Sequence, residues 1–571
     1  MTIFNNFISS LGTDLSELSN NIQIIIPEMF LGTSLILLLG YGVIYSKIGG
    51  LVNQLKKITN LTILSLFWTL YLIIDLNTKV LNKTNNYDNI DILLENNINY
   101  INKTNILTHS IMSIDSVILL IKMVIILSAI SILILSLGVY NNKREKIIDY
   151  EYTQLIILST LGMLLLISSK DLIVMYLSIE TLSLSLYILA AIRKTGQLST
   201  EAGLKYFILG ALSSGLLLFG CALIYISTGL TDFNSLTYFI TYNTSNLVGI
   251  EIGAIFIIFA ILFKLAAAPF HMWAPDVYEG SPTIVTAYFA IVPKIAILLL
   301  LITLIYGPFF GIFNNIIKPL IIISGMLSVM IGSLGALNQT KIKRLLAYSA
   351  IGHMGFILLG LVPATINSLQ ASLVYMILYI IMSLNTFAFV LIFFNKYRSS
   401  LSISDRSNYI SELSGLSRKE PVLAATFALS LLSIAGIPPL AGFFSKYFVL
   451  LSLIENSMYV ISLITILFSV IACFYYIRII QWMYFNNSKS YAIKDLADIA
   501  YSKVGLLTAS TSINKLGTEN ETINRLAAPK SMMPLGTVLI LAITFYVICT
   551  FLLYPNPLLI ITFDSIIKTF I

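Results

Sequence analysis

The chain has 571 residues, of which 57% are hydrophobic and only 11% charged, with a net charge of +7 and a mean hydropathy of +0.90, values that exclude an ordinary soluble domain and make the bilayer its solvent. The basic surplus sits in polar connections, which excludes a nucleic-acid surface. Cys221, Cys473 and Cys549 stand alone in apolar runs, which excludes a disulfide framework and a Cys-x-x-Cys metal or iron–sulfur site.

Residues 1–21 are polar and lack Lys and Arg, unlike a secretory or mitochondrial targeting segment, so the chain is expected to be inserted where it is made. A helix needs about 20 apolar residues to cross the hydrocarbon core. By that measure fourteen spans are predicted, near 22–45, 59–75, 116–139, 152–168, 171–191, 203–228, 249–279, 283–306, 317–337, 345–362, 371–395, 422–454, 458–484 and 535–554. The fourth and fifth are separated only by Ser168, Ser169, Lys170 and Asp171. Two stretches, 76–110 and 486–533, are too long and polar for tight turns and read as surface insertions.

With loops assigned alternately to two sides, 22 of the 34 Lys and Arg fall on one side, six on the other and six inside spans. This bias places loops 143–146, 341–344, 396–420 and 486–533 in the matrix or cytoplasm and both termini opposite. Richness in Ile, Leu, Asn, Tyr and Phe suits an AT-rich genome such as a mitochondrial one.

An ionisable side chain near the bilayer centre costs about 2.5–3.5 kcal/mol on insertion scales and is functional by default. Lys122 has no motif around it, and Arg478 is close enough to a span end to snorkel; both are set aside. Glu180, the one deep carboxylate of this reading, lies in YLSIETLSLSLYIL among Ser178, Thr181, Ser183 and Ser185. Lys205 follows on the next span, where a Glu180–Lys205 pair would lower the burial cost of both and serve as staple or switch. Lys264 lies in FKLAAAPFHMWAPDVYEGSPT, which Pro269 and Pro275 interrupt, and His271 in that break is placed to bond freed carbonyls. Lys294, in AIVPKIAILLL, and His353, in AYSAIGHMGF, lie on spans between the two interruptions; a histidine there serves either as a proton shuttle or as a hydrogen-bonded packing residue. The second break, LLSIAGIPPLAGFFSKYFVL, carries Pro438 and Pro439 before Lys446. Two interrupted spans in corresponding halves point to an ion site in a protein built from inverted repeats.

At these residues the sequence resembles the antiporter-like membrane subunits of respiratory NADH:ubiquinone oxidoreductase (complex I) and their cation/proton antiporter relatives. The resemblance is carried by FKLAAAPFHMWAPDVYEGSPT, KRLLAYSAIGHMGFILLG and LAGFFSKYF and covers roughly 150–460. It implies an all-α integral membrane fold of fourteen helices with two inverted five-helix repeats, each containing a broken helix. The chain then divides into an N-terminal three-helix segment (1–151), a first repeat (152–306), a second repeat (307–484) and a terminal insertion and helix (485–571). It also implies that Glu180, Lys205, Lys264, Lys294 and Lys446 are relay residues; His353 joins them as an intermediate on the ground of its position between the two breaks. Larger siblings carry a histidine soon after Pro-Thr-Pro-Val-Ser; here SPTIVTAYFA has Ala290 nearby, which argues against those branches and places the shuttle on Lys294.

The implied function is a proton-translocating subunit of an NADH:ubiquinone reductase of the mitochondrial inner membrane, with no redox chemistry of its own. No Gly-x-Gly-x-x-Gly follows a strand, so NAD, flavin, iron–sulfur clusters and ubiquinone are expected in partner subunits. The partners would be the other membrane-arm subunits of complex I and membrane lipids. Competing readings are a stand-alone multisubunit cation/proton antiporter, a mainly structural membrane-arm subunit and a chloroplast-type homologue.

Overall fold

The computed structural model describes residues 25–44, 51–87, 112, 115–140, 150–194, 196–242, 248–397, 409–485 and 535–570. The expected loops 143–146 and 486–533, both chain ends, and parts of 76–110 and 396–420 lie outside the described residues.

Lipid offers backbone amides no partner, so long apolar runs close their hydrogen bonds within helices. Among the described residues only three isolated bridges have strand geometry. The helices are α1 (Ile25–Ile44), α2 (Leu51–Tyr87), α3 (Ser116–Tyr140), α4 (Tyr150–Ser168), α5 (Leu172–Ala190), α6 (Gln197–Thr228), α7 (Phe233–Tyr242), α8 (Val248–Lys264) and α9 (Trp273–Gly280). They continue as α10 (Thr283–Tyr306), α11 (Lys318–Leu337), α12 (Ile342–Leu361), α13 (Ile366–Tyr397), α14 (Pro421–Ala435), α15 (Ala441–Glu455), α16 (Tyr459–Tyr484), α17 (Leu535–Thr550) and α18 (Asn556–Phe570).

Eleven of the described helices are long and apolar enough to cross a membrane, so the chain is an all-α, multi-pass membrane protein. Three of the fourteen expected spans differ in form. The span 249–279 consists of α8 and α9, 422–454 consists of α14 and α15, and α17 has only 16 residues. Other boundaries move as well. α2 runs on to Tyr87 and makes the start of the expected 76–110 insertion helical. The short helices α7 and α18 were not expected, since each is too short to show as a span.

After α3, with the short α7 set aside, the order is three continuous helices, a broken pair and one continuous helix, and the same order then recurs from α11 to α16. In both runs the first helix packs on the second and on the last, while the third packs on the broken pair. Small residues permit the closest approaches: a Cβ on Gly332 of α11 would lie 2.6 Å from the backbone N of Gly352 on α12. α10 and α13 pack together at the centre, and 94% of the apolar window of each is buried. α3, α17 and α18 close around α13 from outside the two runs.

Candidate functional site

Both interrupted spans turn at the same backbone motif. Three residues before Pro269 stands Ala266 (φ 58°), and three before Pro439 stands Gly436 (φ 87°); each proline follows a cis peptide bond. A left-handed residue ends a helix by turning the chain away from its axis. The freed backbone groups are met at once. Phe263 O accepts the Trp273 indole N–H at 3.0 Å, Ala435 O accepts the Lys446 ammonium at 2.7 Å, and Gly442 N–H donates to Ser433 Oγ at 3.1 Å. Trp273 takes the Phe263 carbonyl, and His271, buried in the same break, bonds the Pro269 backbone, in line with its expected role of meeting freed carbonyls. Pro275 does not break the helix either. It is the third residue of α9, where the missing N–H has no intrahelical partner to lose.

Counting from the two prolines shows an asymmetry the sequence reading lacked. Lys264 lies five residues before Pro269, whereas Lys446 lies seven after Pro439, the place that Asp276 holds after Pro269. Lys264 is nevertheless the last residue of α8, and Lys446 reaches back to Ala435, the last residue of α14. Both lysines therefore serve the C-terminal end of a first half-helix, where aligned peptide dipoles favour a cation.

Between the breaks runs a buried polar line. Glu180 on α5 is within electrostatic reach of Lys264, and Ser183 Oγ approaches its carboxylate at 3.4 Å. The other polar residues expected to gather around Glu180 turn inward on their own helix: Ser178, Thr181 and Ser185 donate to carbonyls three residues back. Lys294, at the middle of α10, is 3% exposed. Its ammonium has no hydrogen-bond partner among the described residues and lies 5.9 and 5.7 Å from the ring centroids of Tyr278 and Tyr379, within cation–π range. The Tyr379 hydroxyl donates to Ala290 O at 3.4 Å, close to Pro293 inside α10.

His353 on α12 continues the line. It is buried, its Nδ1 is 2.8 Å from Tyr375 Oη and its Nε2 is 3.4 Å from Tyr476 Oη. Lys294 and Lys446 both act on it electrostatically. A cavity of about 20 Å³ lies between His353 and Lys446, bordered by Ser333, Ser349 and Tyr476, which is the size of one water molecule. The Lys446 ammonium also lies 5.5 Å from the Phe356 ring centroid.

Lys205 does not pair with Glu180. It is 44% exposed and bonds Glu201 at 2.8 Å, one turn away, and Asp276 of α9 at 3.0 Å. The expected pairing fails because Lys205 lies only nine residues into the 32-residue α6, close enough to its start to meet the second half of the broken span. Asp276 also faces Arg344 at 3.5 Å, and Glu279 faces Arg344 at 3.3 Å and pairs with Lys341. The Asp-Val-Tyr-Glu segment thus presents both carboxylates to α6 and the start of α12, while Tyr278 lies under Lys294.

A second deep carboxylate was also missed. Glu28 of α1 and Lys122 of α3 form a 2.5 Å ion pair, 3% and 2% exposed. A charge set aside for want of a nearby motif has its partner 94 residues away. Arg478 donates to Leu337 O at 2.9 Å, at the end of α11. The tyrosines were missed because nothing in sequence separates them from the other members of a set of 31; the usable signal was the i, i+4 spacing of Tyr375 and Tyr379 on one helix face.

A bundle of membrane-length helices with two matching breaks and a line of buried cations between them defines the broken-helix, transporter-like class of membrane protein. Residues 169–472 match the family model described as NADH:quinone oxidoreductase/Mrp antiporter, TM. The chain is 40% identical over 443 residues to NADH-ubiquinone oxidoreductase chain 2 of Marchantia polymorpha, covering 77% of this chain and 80% of that one. It is also 40% identical over 471 residues to NADH-quinone oxidoreductase subunit N of Pelagibacter ubique, covering 82% and 91%. The fold matches a chain of the Mrp complex from Dietzia sp. with a TM-score of 0.72 at 17% identity, covering 96% of this chain and 98% of that one. It matches a chain of respiratory complex I from Thermus thermophilus with 0.65 at 24%, covering 93% and 98%. The chain belongs to the family of antiporter-like membrane subunits shared by NADH:quinone oxidoreductase and the Mrp antiporters.

Proposed function

We propose that this chain is the proton-translocating, antiporter-like subunit of an NADH:ubiquinone oxidoreductase in the mitochondrial inner membrane, the counterpart of chain 2 and subunit N. The observation that carries this reading is the 40% identity sustained over 80% of the length of a chain 2 relative. The slightly higher TM-score to an Mrp chain carries less weight, because at 17% identity it speaks to the shared fold alone.

In this reading the chain contributes proton transfer and no redox chemistry; NADH, flavin, iron–sulfur clusters and quinone belong to partner subunits. Quinone reduction elsewhere in the complex perturbs the charges around Glu180, and the proton affinity of Lys264 responds. Transfer then runs through Lys294 and His353 towards Lys446. Lysines suit this role because an ammonium, unlike the arginine guanidinium, can give up its proton and take it back. Lys205 acts at the margin of this line, through Asp276. The two runs α4–α10 and α11–α16 are the inverted repeats, 152–306 and 307–484. The basic loops 143–146, 341–344, 396–420 and 486–533 face the matrix, and both termini face the intermembrane space.

Mild detergent extraction followed by native separation tests the assignment. The chain is expected to migrate with flavin- and iron–sulfur-containing subunits. Migration with other antiporter-like subunits in a particle devoid of those cofactors would assign it to a stand-alone cation antiporter instead.

A further inference from the structure

We propose that Tyr375 is a positioning residue that holds the Nδ1 edge of His353, so that His353 takes up and gives back its mobile proton at Nε2, on the side of Lys446. This rests on the reading of His353 as a relay group, and it concerns a residue that the relay itself does not require to carry charge.

The geometry separates the two edges of the imidazole. Nδ1 is 2.8 Å from Tyr375 Oη, an ordinary strong hydrogen bond, whereas Nε2 is 3.4 Å from Tyr476 Oη, which is long for one. Tyr476 borders the small cavity that reaches Lys446, and Tyr375 does not. The Nε2 edge is therefore the one on the cavity side. Tyr375 is well placed to fix the ring. It is fully buried, it stacks on Phe356 with centroids 6.1 Å apart and planes 12° apart, and Phe356 in turn lies against the Lys446 ammonium. The Tyr379 ring flanks the histidine at 5.4 Å and also faces Lys294, which closes the side towards α10.

The Tyr375 hydroxyl can accept from Nδ1–H or donate to a bare Nδ1; we take the first arrangement, in which the bond at one ring nitrogen leaves the other free to accept. With Nδ1–H donating to Tyr375 Oη, neutral His353 presents the Nε2 lone pair. A proton that reaches Nε2 by way of the cavity gives the imidazolium, and the same N–H bond then breaks as the proton passes to the neutral Lys446 amine, directly or through one water. Nδ1–H stays bonded to Tyr375 throughout, so the ring returns to its starting tautomer without a flip. Were Nδ1 free, the neutral ring would divide between two tautomers, and the one with Nε2–H could not accept.

The test uses the intact complex in sealed vesicles, with protons moved per NADH oxidised measured at matched assembly for Tyr375→Phe, His353→Ala and the double variant. Tyr288, whose hydroxyl lies 2.5 Å from Ser159 Oγ away from this line, supplies the control Tyr288→Phe. His353→Ala is expected to lower pumping by about a hundredfold, the lower end of general acid–base contributions, and Tyr375→Phe by about tenfold, the worth of one hydrogen bond of about 1.4 kcal/mol. Tyr375→Phe should add nothing in the His353→Ala background, since a residue that acts only through another shows no effect of its own once that other is gone. Tyr288→Phe should stay within about twofold of the parent. Unimpaired pumping by His353→Ala would defeat the relay reading of His353. A damaging His353→Ala with an unimpaired Tyr375→Phe would defeat the positioning role alone, as would equal losses in Tyr375→Phe and Tyr288→Phe or a further loss in the double variant.

Discussion

At the scale of single residues, Lys264 makes the sharpest claim. It closes the first half-helix of the first break and is the lysine on which Glu180 acts. Lys264→Ala removes the titrating group, and pumping in reconstituted vesicles is expected to fall by about tenfold or more, with assembly largely retained because a buried lysine is a liability to stability. Lys264→Arg is more informative. Arginine keeps the charge but does not release a proton at accessible pH, so it should be nearly as damaging as alanine; full pumping by the arginine variant would reduce Lys264 to an electrostatic support. The lysines themselves were legible in sequence, since a charge inside an apolar run is conspicuous one residue at a time. Their partners were not. Asp276 is 71 positions from Lys205, and only the folding of α9 against α6 shows that it, rather than Glu180, is the neighbour.

At the scale of elements, the breaks could be predicted from Pro269, Pro438 and Pro439, but the motif they share could not, because Ala266 carries no outward sign of a positive φ. The left-handed conformation costs a residue with a Cβ about 1–2 kcal/mol, and at the second break Gly436 avoids that cost. A Cβ there would also lie 2.8 Å from Lys446 Cδ and 3.1 Å from its Nζ. Gly436→Ala is therefore expected to displace the Lys446 side chain as well as strain the turn, so pumping should fall further than thermal stability does; an equal fall in both would mean that only the turn is affected. The Glu28–Lys122 pair fastens α1 to α3 in a similarly local way. Removing one partner of a buried pair costs about 3–5 kcal/mol, whereas replacing both with apolar groups is often neutral. Glu28→Leu and Lys122→Met are each expected to reduce the yield of assembled complex, and the double variant to restore it. Single variants that assemble like the parent would show that the pair holds nothing.

At the scale of the whole molecule, the Lys and Arg bias gives an orientation that protease protection in sealed vesicles checks directly. Cleavage within 486–533 is expected only from the matrix side and within 76–110 only from the other; cleavage of both from one side would overturn the arrangement of spans. The span order was legible because hydropathy is a local property, and the two outlying helices α7 and α18 were not, being shorter than any window tuned to the bilayer. One further consequence follows from where the polar line sits. Lys294 is the twelfth of 24 residues in α10, His353 the twelfth of 20 in α12, and Lys264 and Lys446 flank breaks inside their spans. The line therefore runs along the membrane plane, at mid-depth, rather than from face to face. A charge crossing the membrane against its potential does electrical work of about 2.3 kcal/mol per 100 mV, but only displacement along the membrane normal counts towards it. Protons passed from one station to the next along this line would do little of that work, and the voltage would be felt on the two short legs that join the line to the aqueous faces.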